Sequence, residues 1–440
     1  MTITLATPEK ITPRENGKAN KLDLEDRAFH DWYRFVLSFP PHLVRDYLDE
    51  FATKKDSVIL DPFCGTGTTL VESKLRGFSS VGTEANSFAH FASNVKTDWE
   101  IDPDFLLSQS KEIAEIVLGE LRRQGIDDET SFVGDIDKLS LRQLPDDENK
   151  LILTGSVSPL PLHKVIVLLD TLKQFQSKRV YQHQLLALSN ALVFKISNLR
   201  FGPEVGVGKS KSDVPVIASW LSEIEKMVND LRLVAGNTHA NSQVKLADAR
   251  ILDEVLPKNS IDVVITSPPY PNEKDYTRIT RLESVVLGFI NNKSDLRLLK
   301  KGLMRSNTRN VYKGDDDDKW VENNAEIQQI ANAIEARRIE LGKTSGFEKL
   351  YGKVTKLYFG GMARHLASLR TVLRPNAHLA YVVGDQASYL RVMIRTGNIL
   401  GDIAKELGYE LVRIDLFRTR LATATKEQLR EEVVILRWKG

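Results

Sequence analysis

Residues 57–84, SVILDPFCGTGTTLVESKLRGFSSVGTE, constrain the fold more than any other stretch. An apolar run, Ser57–Leu60, enters a turn carrying Gly65 and Gly67. A helical pattern over Thr69–Arg76 follows, then a second strand-like run, Ser79–Thr83, ending beside Glu84. Strand, glycine turn, helix and strand make a βαβ unit, whose two strands lie parallel because the helix crosses between them. Glycines without Cβ atoms let a ligand approach the turn closely. The dinucleotide pattern G-x-G-x-x-G lacks its third glycine here, and no Gly-Lys-Ser/Thr marks a phosphate loop. Glu84 stands nineteen residues after Gly65, the interval at which an acid in such units accepts ribose hydroxyls.

The rest of the chain extends this unit. A helix with Leu43, Val44, Tyr47, Leu48 and Phe51 at helical spacing precedes it. Strand patterns return at Val244–Leu246, Ile261–Thr266, His378–Val383, 409–416 and 431–438, with helices at 356–373 and 395–407. The expected architecture is α/β: one open, mainly parallel central sheet interrupted by two inserts. The first, 100–242, is mostly helical, with periodic segments at 164–176, 182–199 and 215–234. The second, 291–350, is smaller and basic, with a helix near 325–341. The core then falls into three parts, 23–99, 243–290 and 351–440, behind a polar arm at 1–22. With 61 basic and 59 acidic residues the net charge is +2. That excludes a wholly basic nucleic-acid binder while leaving room for a local basic face. One cysteine, Cys64, excludes an internal disulfide framework and a cysteine-cluster zinc site, and no metal site is expected. No apolar run reaches membrane-spanning length, and a cytoplasmic protein is the simplest expectation.

The second chemical motif is TSPPY, Thr266–Tyr270, at the carboxyl end of the strand IDVVIT. Ligands of open α/β sheets bind at that edge. Pro268 and Pro269 fix the backbone. The Ser267 side chain and the Pro268 carbonyl can accept hydrogen bonds from an amine, and Tyr270 can stack on a ring. A planar substrate with an exocyclic amine suits this group.

Taken together, DPFCGTGTT, the acid after the second strand, ADAR at 247–250 and TSPPY resemble the amino-methyltransferases. These enzymes transfer a methyl group from S-adenosylmethionine to exocyclic amines of DNA bases. FPPHLVRDYL, from Phe39, and LRPNAHLAYVVGD, 373–385, extend the resemblance, which covers roughly 30–100, 243–290 and 355–438. It implies a Rossmann-like methyltransferase fold. It implies that Phe39, Pro41, Asp61, Pro62, Phe63, Cys64, Gly65, Thr66, Gly67 and Thr68 face the cofactor, that Glu84 holds its ribose and that Asp248 meets its adenine amine. GDID at 134–137 is a second candidate for the last role. Ser267, Pro268, Pro269 and Tyr270 then hold the target base.

Methylation at cytosine C5 needs a thiolate that adds to the ring. The one thiol, Cys64, sits in the glycine turn as a small packing residue, so an amine acceptor is favoured. Serine at the head of the Pro-Pro motif resembles the cytosine-N4 group; adenine N6 is the alternative, and an RNA or tRNA amine is a third. A base in duplex DNA must be flipped out to be reached. Lys293, Arg297, Lys300, Lys301, Arg305 and Arg309 form a run opposed by a single acid, Asp295, and are expected to contact phosphates. The acids Asp315–Asp318 are expected on a solvated loop away from DNA. The expected partners are double-stranded DNA and a separately encoded restriction endonuclease, in a restriction-modification setting.

Overall fold

The computed structural model describes residues 22–34, 38–202, 204–236, 239–421 and 428–440. All but the last residue of the expected arm at 1–22 lies outside these.

Seven strands form the main sheet: β1 (Val58–Asp61), β2 (Ser79–Glu84), β3 (Ser242–Leu246), β4 (Ile261–Thr266), β5 (Leu373–Gly384), β6 (Glu410–Leu421) and β7 (Gln428–Trp438). Their order is β3-β2-β1-β4-β5-β7-β6. The pairs β3–β2, β2–β1, β1–β4 and β4–β5 are parallel. β7 enters antiparallel between β5 and β6. This is the expected α/β architecture, an open, mainly parallel Rossmann-like sheet. Strand order reverses between β1 and β4, so the crevice at their carboxyl ends is the topological switch point.

Alternation builds the two faces. Ile59, Val263, Ile265, Ala380, Val382, Val433 and Ile435 pack with α1 (Pro41–Phe51). Leu60, Val264, Leu379, Tyr381, Val383, Val434 and Leu436 face the opposite core. The β1 helix, α2 (Thr68–Leu75), begins after Gly67, and α3 (Ser87–Thr97) is capped by Asn86, whose side chain accepts from the Phe88 and Ala89 amides.

The first insert holds four long helices, α4 (Pro103–Arg123), α5 (Pro159–Gln174), α6 (Tyr181–Ala191) and α7 (Val216–Val234). Three were expected. α4 was not, although Asp102 caps it and Pro103 opens it, both ordinary helix-start signals. The helix expected to run to 199 ends instead in a π turn, Leu192–Ile196, before a small antiparallel ribbon of Leu199–Phe201 and Val205–Val207. The insert shares one apolar core with α3 and with Phe29, Trp32 and Tyr33. Those three belong to a segment that ties the insert to the short helix Arg281–Val286 by polar contacts. The Phe29 amide and Trp32 Nε1 donate to Asp230 Oδ2 at 3.0 and 2.8 Å, and Tyr33 bonds Glu283.

The second insert carries α8 (Lys293–Gly302) and α9 (Ala325–Glu340), and returns to the sheet through α10 (Tyr351–Leu369) and, past β5, α11 (Thr396–Glu406). Its anchor is Gly360 on α10, where a Cβ would lie 1.8 Å from the Asp317 carbonyl oxygen. Asp317 is therefore buried against the helix and pairs with Arg250 and Arg364. The acidic run at 315–318 is not the wholly solvated loop expected: Asp315 also holds Arg305.

Candidate active site

β1 and β4 end side by side, with Ile59 opposite Val263 and Leu60 opposite Val264. Their terminal residues are joined: Thr266 Oγ1 donates to Asp61 Oδ1 at 2.6 Å, and the Phe63 amide donates to the same oxygen at 3.1 Å. The glycine turn and the Ser-Pro-Pro-Tyr turn thus open into one cavity of about 420 Å³.

The glycine turn is held from three sides. Gly65 and Gly67 have φ of +52° and +84°, the left-handed region that other residues enter only under strain. The Gly65 amide donates to Glu84 Oε2 at 2.9 Å, and Glu84 Oε1 accepts from the Asn86 amide at 2.7 Å. Ser93 Oγ donates to the Gly65 carbonyl at 2.7 Å. Glu84 therefore links the turn to the start of α3 while facing the cavity.

Of the cofactor residues expected from sequence, Phe39, Pro62, Phe63, Cys64, Gly65, Thr66, Thr68, Glu84 and Asp248 line this cavity. Pro41 does not: it is buried as the first residue of α1. Asp61 lies just beneath, fully buried, and Gly67 packs against Ser93. Cys64 is buried and burial pushes its thiol well above the ordinary value, which fits packing and not nucleophilic attack. Asp248 is only partly available, because both its oxygens accept from Arg250. The rival acids Asp135 and Asp137 are exposed in the helical insert and do not reach the cavity.

On the substrate side, Ser267, Pro268, Pro269 and Tyr270 all line the cavity. Ser267 Oγ donates to the Val382 carbonyl on β5 at 3.1 Å. With its proton so committed, the hydroxyl presents lone pairs to a ligand. The Tyr270 amide donates to Tyr276 Oη at 3.2 Å, fixing the turn. Sequence reasoning missed a buried support. His365 on α10 contacts the Ala249 carbonyl through Nδ1 at 2.7 Å and Tyr381 Oη through Nε2 at 2.6 Å. Burial lowers its pKa to about 4, so it is neutral. Nδ1 donates to the carbonyl and Nε2 accepts from the tyrosine. The ring also meets the Phe63 ring edge-on, with centroids 4.9 Å apart.

The basic run divides. Lys293, Arg297, Lys301 and Arg309 are exposed. Lys300 and Arg305 are not free cations, contrary to expectation. Lys300 Nζ sits 2.7 Å from Asp275, and Arg305, 3% exposed, binds both Asp315 oxygens at 2.8 and 2.9 Å. Folding the insert around α8 required internal counter-ions, and these two side chains supply them. Arg305→Glu is expected to destabilise the protein by about 3 kcal/mol, because it sets a second carboxylate at a buried position against Asp315, which loses its partner. A fall in melting temperature checks this; an unchanged melt would return Arg305 to the surface.

The DNA methylase family matches residues 8–94. The chain is similar along most of its length to the Type II methyltransferase M.BsoBI of Geobacillus stearothermophilus. Identity is 25% over 96% of this chain and 85% of that protein. For the Type II methyltransferase M.AvaI of Nostoc sp. (strain PCC 7120), identity is 23% over 90% and 82%.

These matches support an S-adenosylmethionine-dependent amino-methyltransferase of the N4/N6 family.

Among solved structures, the rRNA methyltransferase aviRa from Streptomyces viridochromogenes aligns at 11% identity and a TM-score of 0.32, over 92% of this chain and 91% of that one. TrmN from Thermus thermophilus aligns at 10% and 0.31, over 94% and 52%.

The methyl donor of this amino-methyltransferase is S-adenosylmethionine, and the cavity fits that molecule. Asp61 Oδ2 and Thr66 Oγ1 are buried polar atoms without hydrogen-bond partners, suited to the ammonium and carboxylate of its amino-acid part. Around Gly65 a Cβ would meet nothing within 4 Å, so that space is free for the ligand. Burial raises Asp61 to about 6 and Glu84 to about 7. Two desolvated carboxyls suit a ligand bearing a sulfonium and an ammonium.

The Glu84 value gives a prediction. If Glu84 holds the ribose, the ribose hydroxyls donate to the ionised carboxylate, and cofactor binding favours loss of the Glu84 proton. Affinity is expected to rise with pH up to about 7, by at most tenfold per unit, and then to level off. Calorimetry with S-adenosylhomocysteine from about pH 6 to 8, the range that brackets this titration, measures it. The Glu84→Gln variant should bind more weakly and lack this component; equal pH dependence in both proteins would separate Glu84 from the ribose.

Proposed function

We propose that this amino-methyltransferase methylates N4 of cytosine in double-stranded DNA, as the modification enzyme of a restriction-modification pair. The Ser267 hydroxyl carries the reading: its proton lies on the Val382 carbonyl at 3.1 Å, leaving acceptor lone pairs for the amine of the base.

When bound, S-adenosylmethionine supplies a methyl group on a sulfonium, an electrophile with a good leaving group. The chain's own residues do the rest. An exocyclic amine is conjugated with its ring and poorly nucleophilic. Ser267 Oγ and the Pro268 carbonyl accept hydrogen bonds from its N–H groups, favouring a pyramidal nitrogen with its lone pair free. Tyr270 holds the ring by stacking. Holding the amine in line contributes by orientation. The carbonyl and hydroxyl acceptors also stabilise the positive charge that builds on the nitrogen, which sheds its surplus proton to solvent after transfer.

A serine heading the Pro-Pro motif favours cytosine; adenine N6 is the second reading, since both bases carry an amine beside a ring nitrogen. The relatives are Type II methyltransferases, which supports the restriction-modification role and a partner endonuclease on a separate chain. Among the described residues no helix is long and apolar enough to cross a membrane.

Incubating the protein with S-adenosylmethionine and unmethylated genomic DNA, then identifying nucleosides by mass spectrometry, tests the proposal. N4-methylcytosine is expected. N6-methyladenine would overturn the choice of base, and methylation of RNA alone would overturn DNA as the substrate.

DNA contact is assigned to the exposed part of the basic run, Lys293, Arg297, Lys301 and Arg309. Replacing Lys301 and Arg309 together with glutamate should leave the melt unchanged and weaken DNA binding. The slope of log affinity against log salt should fall by about 0.9 for each phosphate that is no longer neutralised. An unaltered slope would make these residues simple surface charge.

A further inference from the structure

The second insert brings a polar segment, 304–310, to the cavity. Four ties fix it to the loop just beyond the Ser-Pro-Pro-Tyr turn and to residue 389. Asn307 Nδ2 donates to the Lys274 carbonyl at 3.0 Å. The Thr308 amide and hydroxyl donate to the two Glu273 oxygens at 2.9 and 2.8 Å. Tyr389 Oη donates to the Ser306 carbonyl at 2.9 Å. The last residue of the segment, Asn310, lines the cavity and is only 1% exposed. Its backbone amide is bonded to the Asn307 carbonyl, yet its side-chain oxygen is buried without any partner.

A buried, unpaired amide oxygen is a standing cost, removed only when a ligand supplies the missing donor. The surrounding bonds hold the backbone, so the side chain does not serve the loop that carries it. An amide offers one acceptor beside one donor. Cytosine and adenine each present the complement, an exocyclic amine beside a bare ring nitrogen. Thymine carries only oxygens beside its ring N–H, whereas guanine shows an oxygen beside N1–H on one edge and an amine beside the bare N3 on the other. An amide could reverse to suit the oxygen edges, but the acceptors at Ser267 and Pro268 demand an amine at that position.

We propose that Asn310 is a base-reading residue of the target pocket: its carbonyl shares with Ser267 Oγ the amine N–H that lies beside the ring nitrogen of the flipped base, and its amide nitrogen donates to that ring nitrogen. This rests on the base-amine reading above and adds the residue that enforces it. Ser267 and the Pro268 carbonyl select the amine, and Asn310 selects the amine together with the unprotonated ring atom. The second insert thereby contributes to the pocket itself, through a segment that the basic-run reading treated only as a phosphate contact.

The test compares wild type with Asn310→Ala and Asn310→Asp on unmethylated genomic DNA. Asn310→Ala is expected to keep the wild-type melting temperature or exceed it, since an unpaired group is removed. S-adenosylhomocysteine affinity by calorimetry should stay within about twofold, since the side chain is assigned to the base and not to the cofactor. The kcat/KM for DNA should fall about ten- to hundredfold, the range for removing a bidentate interaction with a base. Asn310→Asp, which keeps an acceptor and loses the donor, should also fall. A variant as fast as wild type overturns the proposal. So does a fall in S-adenosylhomocysteine affinity with DNA kinetics intact, which would place the amide on the cofactor. Failure of the underlying function shows differently, as wild-type protein that leaves no methylated base in the DNA. The same comparison is then made on RNA, and Asn310→Ala matching wild type there overturns the proposal equally.

Discussion

Gly65→Val is expected to reduce S-adenosylmethionine affinity by at least about a hundredfold while the protein stays folded. Two effects act together. Gly65 has φ +52°, and a β-branched residue in that region carries strain of about 1–3 kcal/mol. Its side chain would also project into space where a Cβ now meets nothing within 4 Å. That space is open in the protein alone and is where the cofactor is proposed to approach. The turn is held independently by Cys64, whose amide donates to the Thr83 carbonyl at 3.1 Å, and by Ser93 on the Gly65 carbonyl. Calorimetry with S-adenosylhomocysteine and a thermal melt measure the two quantities. Normal affinity in the folded variant would remove the glycine turn from the cofactor site.

Ser267→Ala is expected to lower kcat about a hundredfold, or about 2.7 kcal/mol of transition-state stabilisation, with cofactor affinity nearly unchanged. The hydroxyl bonds the Val382 carbonyl, and its remaining lone pairs act on the amine as charge develops. Ground-state binding of DNA rests mostly on phosphates, so KM should move little. Single-turnover rates with saturating DNA give the measurement. An unchanged rate would leave the Pro268 carbonyl as the acceptor and remove Ser267 from the chemistry. With Asn310→Ala the result separates two roles: Ser267 is expected to act chiefly on the rate of transfer, and Asn310 on which base is accepted.

Much of the site was legible because it is local. Asp61 to Thr68 form one turn, and its glycines are explained by positive φ within that turn. Glu84 follows at a spacing fixed by one helix and one strand, and the structure finds it bonded to the Gly65 amide. The Ser-Pro-Pro-Tyr turn is equally local, and the parallel strands follow from the crossover rule. α4 was missed although its signals were present, since Leu106, Ile113, Val117 and Leu121 recur on one buried face.

What sequence alone determined, then, is the chemistry carried by short segments: two rigid turns at strand ends, an acid at a set interval, and the alternation that gives each strand two buried faces. Tertiary structure decided which distant residues meet those turns. The β1–β4 pairing places Asp61 beside Thr266. His365 reaches Phe63 and Ala249 only because α10 packs across the sheet. Lys300 and Arg305 look like surface cations in a charged run, yet they face Asp275 and Asp315 once the insert folds. Asn310 reaches the cavity through ties to residues 273 and 274. The physical reason is that backbone conformation and periodicity are set by neighbours in sequence. Burial of a charge, and the partner that makes it tolerable, depend on contacts between segments far apart along the chain.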